Sequence, residues 1–517
     1  MVDKHSYLDI DWHFASKNEN DDFHTDIIFL RVCAHDIARA TGHAHSRILE
    51  TFQGNTGSFY FSRSETVQIS NVLINNFFNI KHWGQKINQN IYVAANKLSH
   101  VFDEMIFDAI SIKKLSLSAL ISFYEKQLRA NTELYTWGWL PEEMLSSVNS
   151  LEGFLLRYLY EIGVPEIKMN EVFADLLFCP LKSVYSKELE GIGVIAQQID
   201  EIPNDLHLFL SNDAFSQKQL VSSSITSQIK ALHCEYKYLN YHGYGTRSLK
   251  DERDYYLDIR SQISSKIFSN VQLLNDAVRR HNAFAKRCQE YRIDENHQKL
   301  FTIYSEFGVS KSIRRLAQLK NFYYLDMIFD EVARRKGLPT DIVRFMLPEE
   351  FLNIEKLSDS QITDIHLRCD SMVYFMDGGN EQIIVGKDSK KVINDINKKL
   401  QKNSNGDISG ISACTGFARG TVRKIIRYIK GESYFEKGDI LVTFEADPDL
   451  IDLIKICSAV VTDQGGITCH MAIIAREFNI PCIVGTGNAT NLLQDGMVIS
   501  VDAYAGSVTI ERGATDE

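Results

Sequence analysis

Proline is scarce in this chain: eight in 517 residues, six of them before residue 410. Glycine is thin in the same stretch, with 17 of the 29 in residues 1–409 and 12 in residues 410–517. Helix interiors exclude both residues, so the first four hundred residues read as mostly helical. No C-x-x-C pair occurs among the nine scattered cysteines. An odd number of unpaired-looking cysteines argues against a disulfide scaffold and for reduced thiols in a cytoplasmic protein. No apolar run approaches the roughly 18 residues that would cross a bilayer. The start, Met1-Val2-Asp3-Lys4-His5, lacks the basic-then-apolar pattern of a secretory leader. Positive charge is in deficit, 56 Lys and Arg against 67 Asp and Glu, for a net charge of -11. Bulk electrostatics therefore favour neither nucleic acid nor an anionic membrane as a partner.

What is present divides the chain. A length of 517 residues suggests several domains. The apolar spacing of Ile313, Leu316, Leu319, Leu325, Ile328, Phe329 and Val332 predicts a helix over 311–336 that stops at Gly337-Leu338-Pro339. Residues 116–134 and 258–292 read as two more helices. The Arg279, Arg280, Lys286 and Arg287 face of the latter reads as solvated surface. Two β-rich runs flank Asp377-Gly378-Gly379-Asn380 and predict a hairpin over 370–386. A short helix over 387–400 and a polar linker over 401–409 come next. Beyond it, short β-rich runs begin near residues 420, 439, 459, 482, 498 and 508 and alternate with helical stretches. The fold class expected is multidomain: a mostly α-helical N-terminal region followed by a compact α/β domain. The divisions are 1–80, of no evident role, 81–400, 401–409 and 410–512.

One stretch carries chemistry. Val460-Val461-Thr462 reads as a buried strand running into Asp463-Gln464-Gly465-Gly466-Ile467-Thr468-Cys469-His470, after which Met471-Ala472-Ile473-Ile474-Ala475-Arg476 reads as a helix. Adjacent glycines permit positive φ and close approach to the backbone. Free N–H groups and the dipole at a helix start favour an anion, and Thr468 can cap that helix. The same dipole disfavours a protonated histidine, leaving the imidazole neutral and nucleophilic. A phosphohistidine suits this setting, and so does a histidine satisfied locally at a helix start.

The pattern T-x-x-G-G-x-T-C-H-x-A-I-I-A-R-E, followed by Ile480-Pro481-Cys482-Ile483-Val484-Gly485, resembles the swivelling phosphohistidine domain of phosphoenolpyruvate-utilising enzymes. These include phosphoenolpyruvate synthase, pyruvate phosphate dikinase and rifampin phosphotransferase. The resemblance covers about 409–512 and includes Gly416, Gly420, Gly438-Asp439, Asp447-Pro448-Asp449, Gly487-Asn488-Ala489-Thr490, Asp495-Gly496 and Gly506. It implies a β/β/α swivelling domain with His470 as phosphocarrier. Gly465, Gly466, Thr468, Cys469 and Arg476 would shape or support the phosphate cradle. The linker would let the domain swing between sites, since seven to nine flexible residues span about 15 Å. ATP and Mg²⁺ are implied as donor and metal, with AMP and inorganic phosphate released overall.

Residues 80–400 resemble, through fewer motifs, the acceptor-binding helical domain that precedes the histidine domain in rifampin phosphotransferase and its relatives. Asn240-Tyr241-His242-Gly243-Tyr244-Gly245-Thr246-Arg247 with Glu252-Arg253-Asp254 carries part of that likeness, and Ala333–Pro339 with Leu347-Pro348-Glu349-Glu350 the rest. It implies a small-molecule acceptor contacted by His242, Arg247 and Arg253. The pattern departs from the family where a nucleotide-binding ATP-grasp module is expected: no glycine-rich phosphate loop or acid-rich metal stretch is evident. A separate ATP-grasp-type subunit is the expected partner, unless the first hundred residues hold a reduced nucleotide module. A binding or regulatory protein with a vestigial histidine domain is the alternative. His35, His43 and His45 match no metal-ligand spacing and read as local structure, so no metal site is expected. Trp137 and Trp139 read as core or pocket wall.

Overall fold

The computed structural model describes residues 6–19, 22–102, 111–145, 150–165, 168–211, 213–241, 248–403, 408–426, 434–444, 450–454, 456–463, 465, 471–472, 475 and 480–511. Contacts divide the chain into two units: Asn18–Leu151 with Asp175–Lys390, and Met1–Lys17 with Glu152–Ala174 and Lys391–Glu517. This division does not follow the boundaries at 80, 400 and 409. The first is mostly helical and the second holds a β-rich region. Among the described residues, no helix is long and apolar enough to cross a membrane.

In the helical unit, α1 (Phe23–Arg31) starts where the Asp22 carboxylate accepts from Thr25 N at 2.9 Å. A hairpin follows, β1 (Arg47–Gln53) and β2 (Thr56–Ser62). The helices of this unit include α2 (Trp83–His100), α3 (Leu117–Gly138), α4 (Glu252–Ser265), α5 (Ser269–Glu290) and α6 (Glu295–Lys336). Helix α6 runs 42 residues, from an Asp294 cap to Gly337, which sits at φ 65° and closes the helix as its sequence predicts. Its start lies well before residue 311. Ser116 caps α3, which continues past the expected residue 134 to Gly138.

The segment 258–292 is two helices rather than one. Lys266 adopts φ 56° and ends α4; the Gln262 side chain then reaches across to accept from Ser269 N at 2.9 Å, capping α5. That reciprocal cap turns the chain with no glycine or proline. Arg287 is not surface either: it is buried, bonded to Asp175 at 2.8 Å and Glu290 at 2.9 Å. Helix α7 (Asp359–Asp370) leads into the predicted hairpin, β3 (Ser371–Asp377) and β4 (Asn380–Val385). Strand β3 pairs with β1, giving the antiparallel run β2-β1-β3-β4 within a five-stranded sheet. Residues 47–62 thus belong to the same sheet as the hairpin three hundred residues later.

Helix α8 spans Gly386–Asn403, so residues 401–403 are helical rather than linker, and residues 404–407 lie outside the described residues. In the second unit, Lys399 Nζ donates to Ile10 O at 2.7 Å and ties the N-terminal segment to α8. The strands are β5 (Ile408–Ser409), β6 (Ile411–Cys414), β7 (Phe417–Lys424), β8 (Ile440–Thr443), β9 (Ala459–Thr462), β10 (Cys482–Val484), β11 (Val498–Asp502) and β12 (Ser507–Ile510), with helix α9 (Ala489–Leu492) before β11. They form one sheet in the order β5-β12-β11-β7-β8-β9-β10-β6. The central β7-β8-β9-β10 pairs are parallel and the outer pairs antiparallel.

Strand alternation builds a core on each side of this sheet. Leu441, Val460, Cys482 and Val484 join Met471, Ala472 and Ala475 in one cluster. Ile440, Val442, Ala459, Val461 and Ile483 join Ile499 and Val501 in the other. A sheet covered on both faces explains why these strands are continuously apolar. Gly420 is required by space: a Cβ there would lie 2.6 Å from Gly438 O.

Candidate functional site

The parallel strands β8, β9 and β10 end together at Thr443, Thr462 and Val484. Open α/β sheets place their sites beyond this carboxyl edge. Asp463, the residue after β9, is buried there and holds three segments together. Its N–H donates to Thr443 O at 3.2 Å, and its carbonyl accepts from Gly487 N at 3.0 Å. Its carboxylate accepts from Thr486 Oγ1 at 2.9 Å, from Thr490 N at 3.2 Å and from Thr490 Oγ1. Burial pushes the Asp463 pKa up, and the bonds from Thr490 and Thr486 partly offset this. Two residues on, Gly465 is exposed at φ 112°. Gly485, at φ 72°, passes so close that a Cβ on it would be 3.0 Å from Gly465 O. Asp463 and Gly485 thus fix the backbone on either side of Gly465 at this edge.

Residues 435–506, which contain this edge, match the family described as PEP-utilising enzyme, mobile domain. This stretch is a PEP-utilising enzyme mobile domain. Phosphoenolpyruvate synthase of Aeropyrum pernix is 44% identical over 115 residues, 21% of this chain and 14% of that protein. A probable phosphoenolpyruvate synthase of Archaeoglobus fulgidus is 35% identical over 181 residues, 32% of this chain and 24% of that protein. The chain thus spans less than a quarter of the length of either relative. Among solved structures, holo aconitase X of Thermococcus kodakaraensis matches at 21% identity, over 20% of this chain and 98% of that chain. Its TM-score of 0.17 is too low to speak for a shared fold.

Within the mobile domain, Gly466, Thr468, Cys469, His470 and Arg476 lie outside the described residues. Their neighbours are fixed: Met471, Ala472 and Ala475 are buried in the core beside Val460 and Cys482. Asp463, Thr486 and Thr490 are the site residues that pattern reading passes over. Asp463 and Thr490 stand inside the motifs, but nothing in a string shows that residues 23 and 27 positions apart share one carboxylate.

In the helical unit, His242 and Arg247 also lie outside the described residues. Arg253 is exposed on the first turn of α4, its N–H bonded to Asp251 Oδ1 at 2.9 Å. Tyr241, immediately before the 242–247 segment, donates through its hydroxyl to Asp326 on α6. Asp326 also pairs with the buried Arg344 at 2.6 Å, and Arg344 reaches Asp22 at 3.4 Å. Burial alone would lower the Arg344 pKa; Asp326 and Asp22 more than offset it, so the guanidinium stays charged. Tyr241 thus joins a buried ionic cluster.

Of the histidines near residue 40, His45 is buried and its partner is distant in sequence. His45 Nε2 meets Glu143 Oε1 at 2.7 Å, and Trp139 Nε1 donates to the same oxygen at 2.8 Å. Trp139 packs edge-on to Phe29 with centroids 4.4 Å apart. Among the described residues, no group of three or more His, Cys, Asp or Glu side chains forms a metal cage.

Proposed function

We propose that this chain is the phosphocarrier and acceptor-binding component of a phosphotransferase. The supporting observation is the mobile-domain match over 435–506, which includes the carboxyl edge of a parallel sheet and the buried Asp463 clamp. In this reading a nitrogen of the neutral His470 imidazole attacks a phosphoryl phosphorus. The phosphorus attacked is the β one: an N–P bond forms as the P–O bond to AMP breaks, and water then cleaves the β–γ bond, releasing inorganic phosphate and leaving a single phosphoryl group on His470. A hydroxyl oxygen of the acceptor then attacks the same phosphorus. The new P–O bond forms, the N–P bond breaks, and the hydroxyl proton leaves to solvent. Gly465, Gly466 and Thr468 present backbone and hydroxyl donors to the phosphoryl oxygens. Cys469 shapes the cradle, and Arg476 supports the phosphate or the docking of the domain.

ATP is the proposed donor, held by a separate ATP-grasp-type polypeptide, because no glycine-rich phosphate loop is evident in this sequence. Mg²⁺ would belong to that nucleotide site and supply charge neutralisation there. The acceptor is a small molecule held by the helical unit, where His242, Arg247 and Arg253 are proposed contacts. The second half-reaction is tested by a chase. Chain carrying labelled phosphate is mixed with a protein-free extract of host metabolites. Label passing to a small molecule supports the reading; label lost only as inorganic phosphate at the rate seen in buffer contradicts an acceptor role.

A further inference from the structure

Helices α3 and α6 pack antiparallel. Arg314 Nη1 donates to Gly138 O at 2.6 Å at one end, and Arg335 Nη1 to Leu115 O at 2.7 Å at the other. That register sets Asn131 level with Asn321. Gln318 lies one turn towards the Gly138 end, and Gln127 one turn towards the Leu115 end. All four carboxamides are buried. Both amide atoms of Gln127, Asn131 and Asn321, and Nε2 of Gln318, have no hydrogen-bond partner among the described residues. Packed helices normally fill such a seam with apolar side chains, because an unpaired buried amide costs its desolvation. Four together are a standing loss of stability, of the kind retained where a site is used.

The chemistry of the seam narrows what it takes. Carboxamides donate and accept without charge. An ion placed there would be desolvated without a counterion. Arg314, at one end, has its charge paired with Glu142 at 3.0 Å and leaves only Nε unpaired. Hydroxyl groups also donate and accept, so a molecule with several of them can pair both halves of each amide. At the other end Tyr124 and Phe329 are buried and pack against His24 and Phe351. We propose that the seam between α3 and α6 binds a small, neutral, hydroxyl-rich molecule. Its role as phosphoryl acceptor rests on the phosphotransferase reading; its binding does not.

The test is thermal melting of the purified full chain, without nucleotide, in millimolar D-glucose, myo-inositol or uridine. At least one should raise the melting temperature by about 2 °C or more. Asn321→Leu and Asn131→Leu should each abolish that shift while melting no lower than the parent chain, since each removes an unpaired amide. His470→Ala should keep the shift, which separates this proposal from the phosphohistidine reading. No shift with any of the three probes, or a shift that survives both leucine variants, would overturn it. So would a large drop in melting temperature of both variants, which would show the amides to be structural.

Discussion

Asp463 and His24 are both buried titratable groups, and their pH signatures differ. Asp463 has its pKa raised above 3.8 by burial, so its contribution to stability is full below 3.8 and is lost as pH rises through the folded value. Near neutral pH the position values acceptor atoms over charge. Asp463→Asn should therefore be tolerated, while Asp463→Ala strands the Thr490 and Thr486 donors and should cost about 1–3 kcal/mol in urea unfolding. His24 behaves differently. Its Nδ1 lies 2.8 Å from Met346 O and so carries the proton, leaving Nε2 to accept from Tyr124 OH at 2.8 Å. Burial lowers its pKa from 6.5 to about 4. The neutral ring's contribution is full above pH 6.5 and is lost as pH falls through about 4. The helical unit should lose on the order of 3 kcal/mol from this group between neutrality and pH 4. His24→Gln should flatten that part of the stability profile. His470 announces itself in sequence because a whole motif surrounds it; neither His24 nor Asp463 does, since their partners are set by tertiary contact.

At the scale of elements, local signals are read well and long-range ones poorly. Gly337 stops α6 and Asp377-Gly378-Gly379-Asn380 turns the 371–385 hairpin, both through local backbone chemistry. The break between α4 and α5 escapes periodicity because it rests on Lys266 in the left-handed region and a side-chain cap from Gln262. The hairpin at 47–62 had a signal, Gly54-Asn55 between two apolar runs, but its pairing with β3 joins residues about three hundred apart. Gly420 tests the packing of the mobile-domain sheet. Gly420→Ala drives a methyl group against a backbone carbonyl that cannot swing aside, and should destabilise the domain by about 1–3 kcal/mol by calorimetry.

For the whole molecule, the motif at 460–485 and the glycine contrast were enough to foresee a helical region followed by a compact α/β domain. The membership of segments was not legible. Residues 1–17 and 152–174 group with the C-terminal region by contacts that no local pattern encodes. The central claim concerns His470, and it is tested most directly by incubating the purified chain with Mg²⁺ and ATP labelled at the β-phosphate, with and without host lysate, beside His470→Ala. Acid-labile label is expected on the chain only when lysate supplies the nucleotide-binding partner, and none on His470→Ala. Label appearing on the purified chain alone would contradict the separate donor subunit. Label retained by His470→Ala, or no label under either condition, would contradict the phosphocarrier itself.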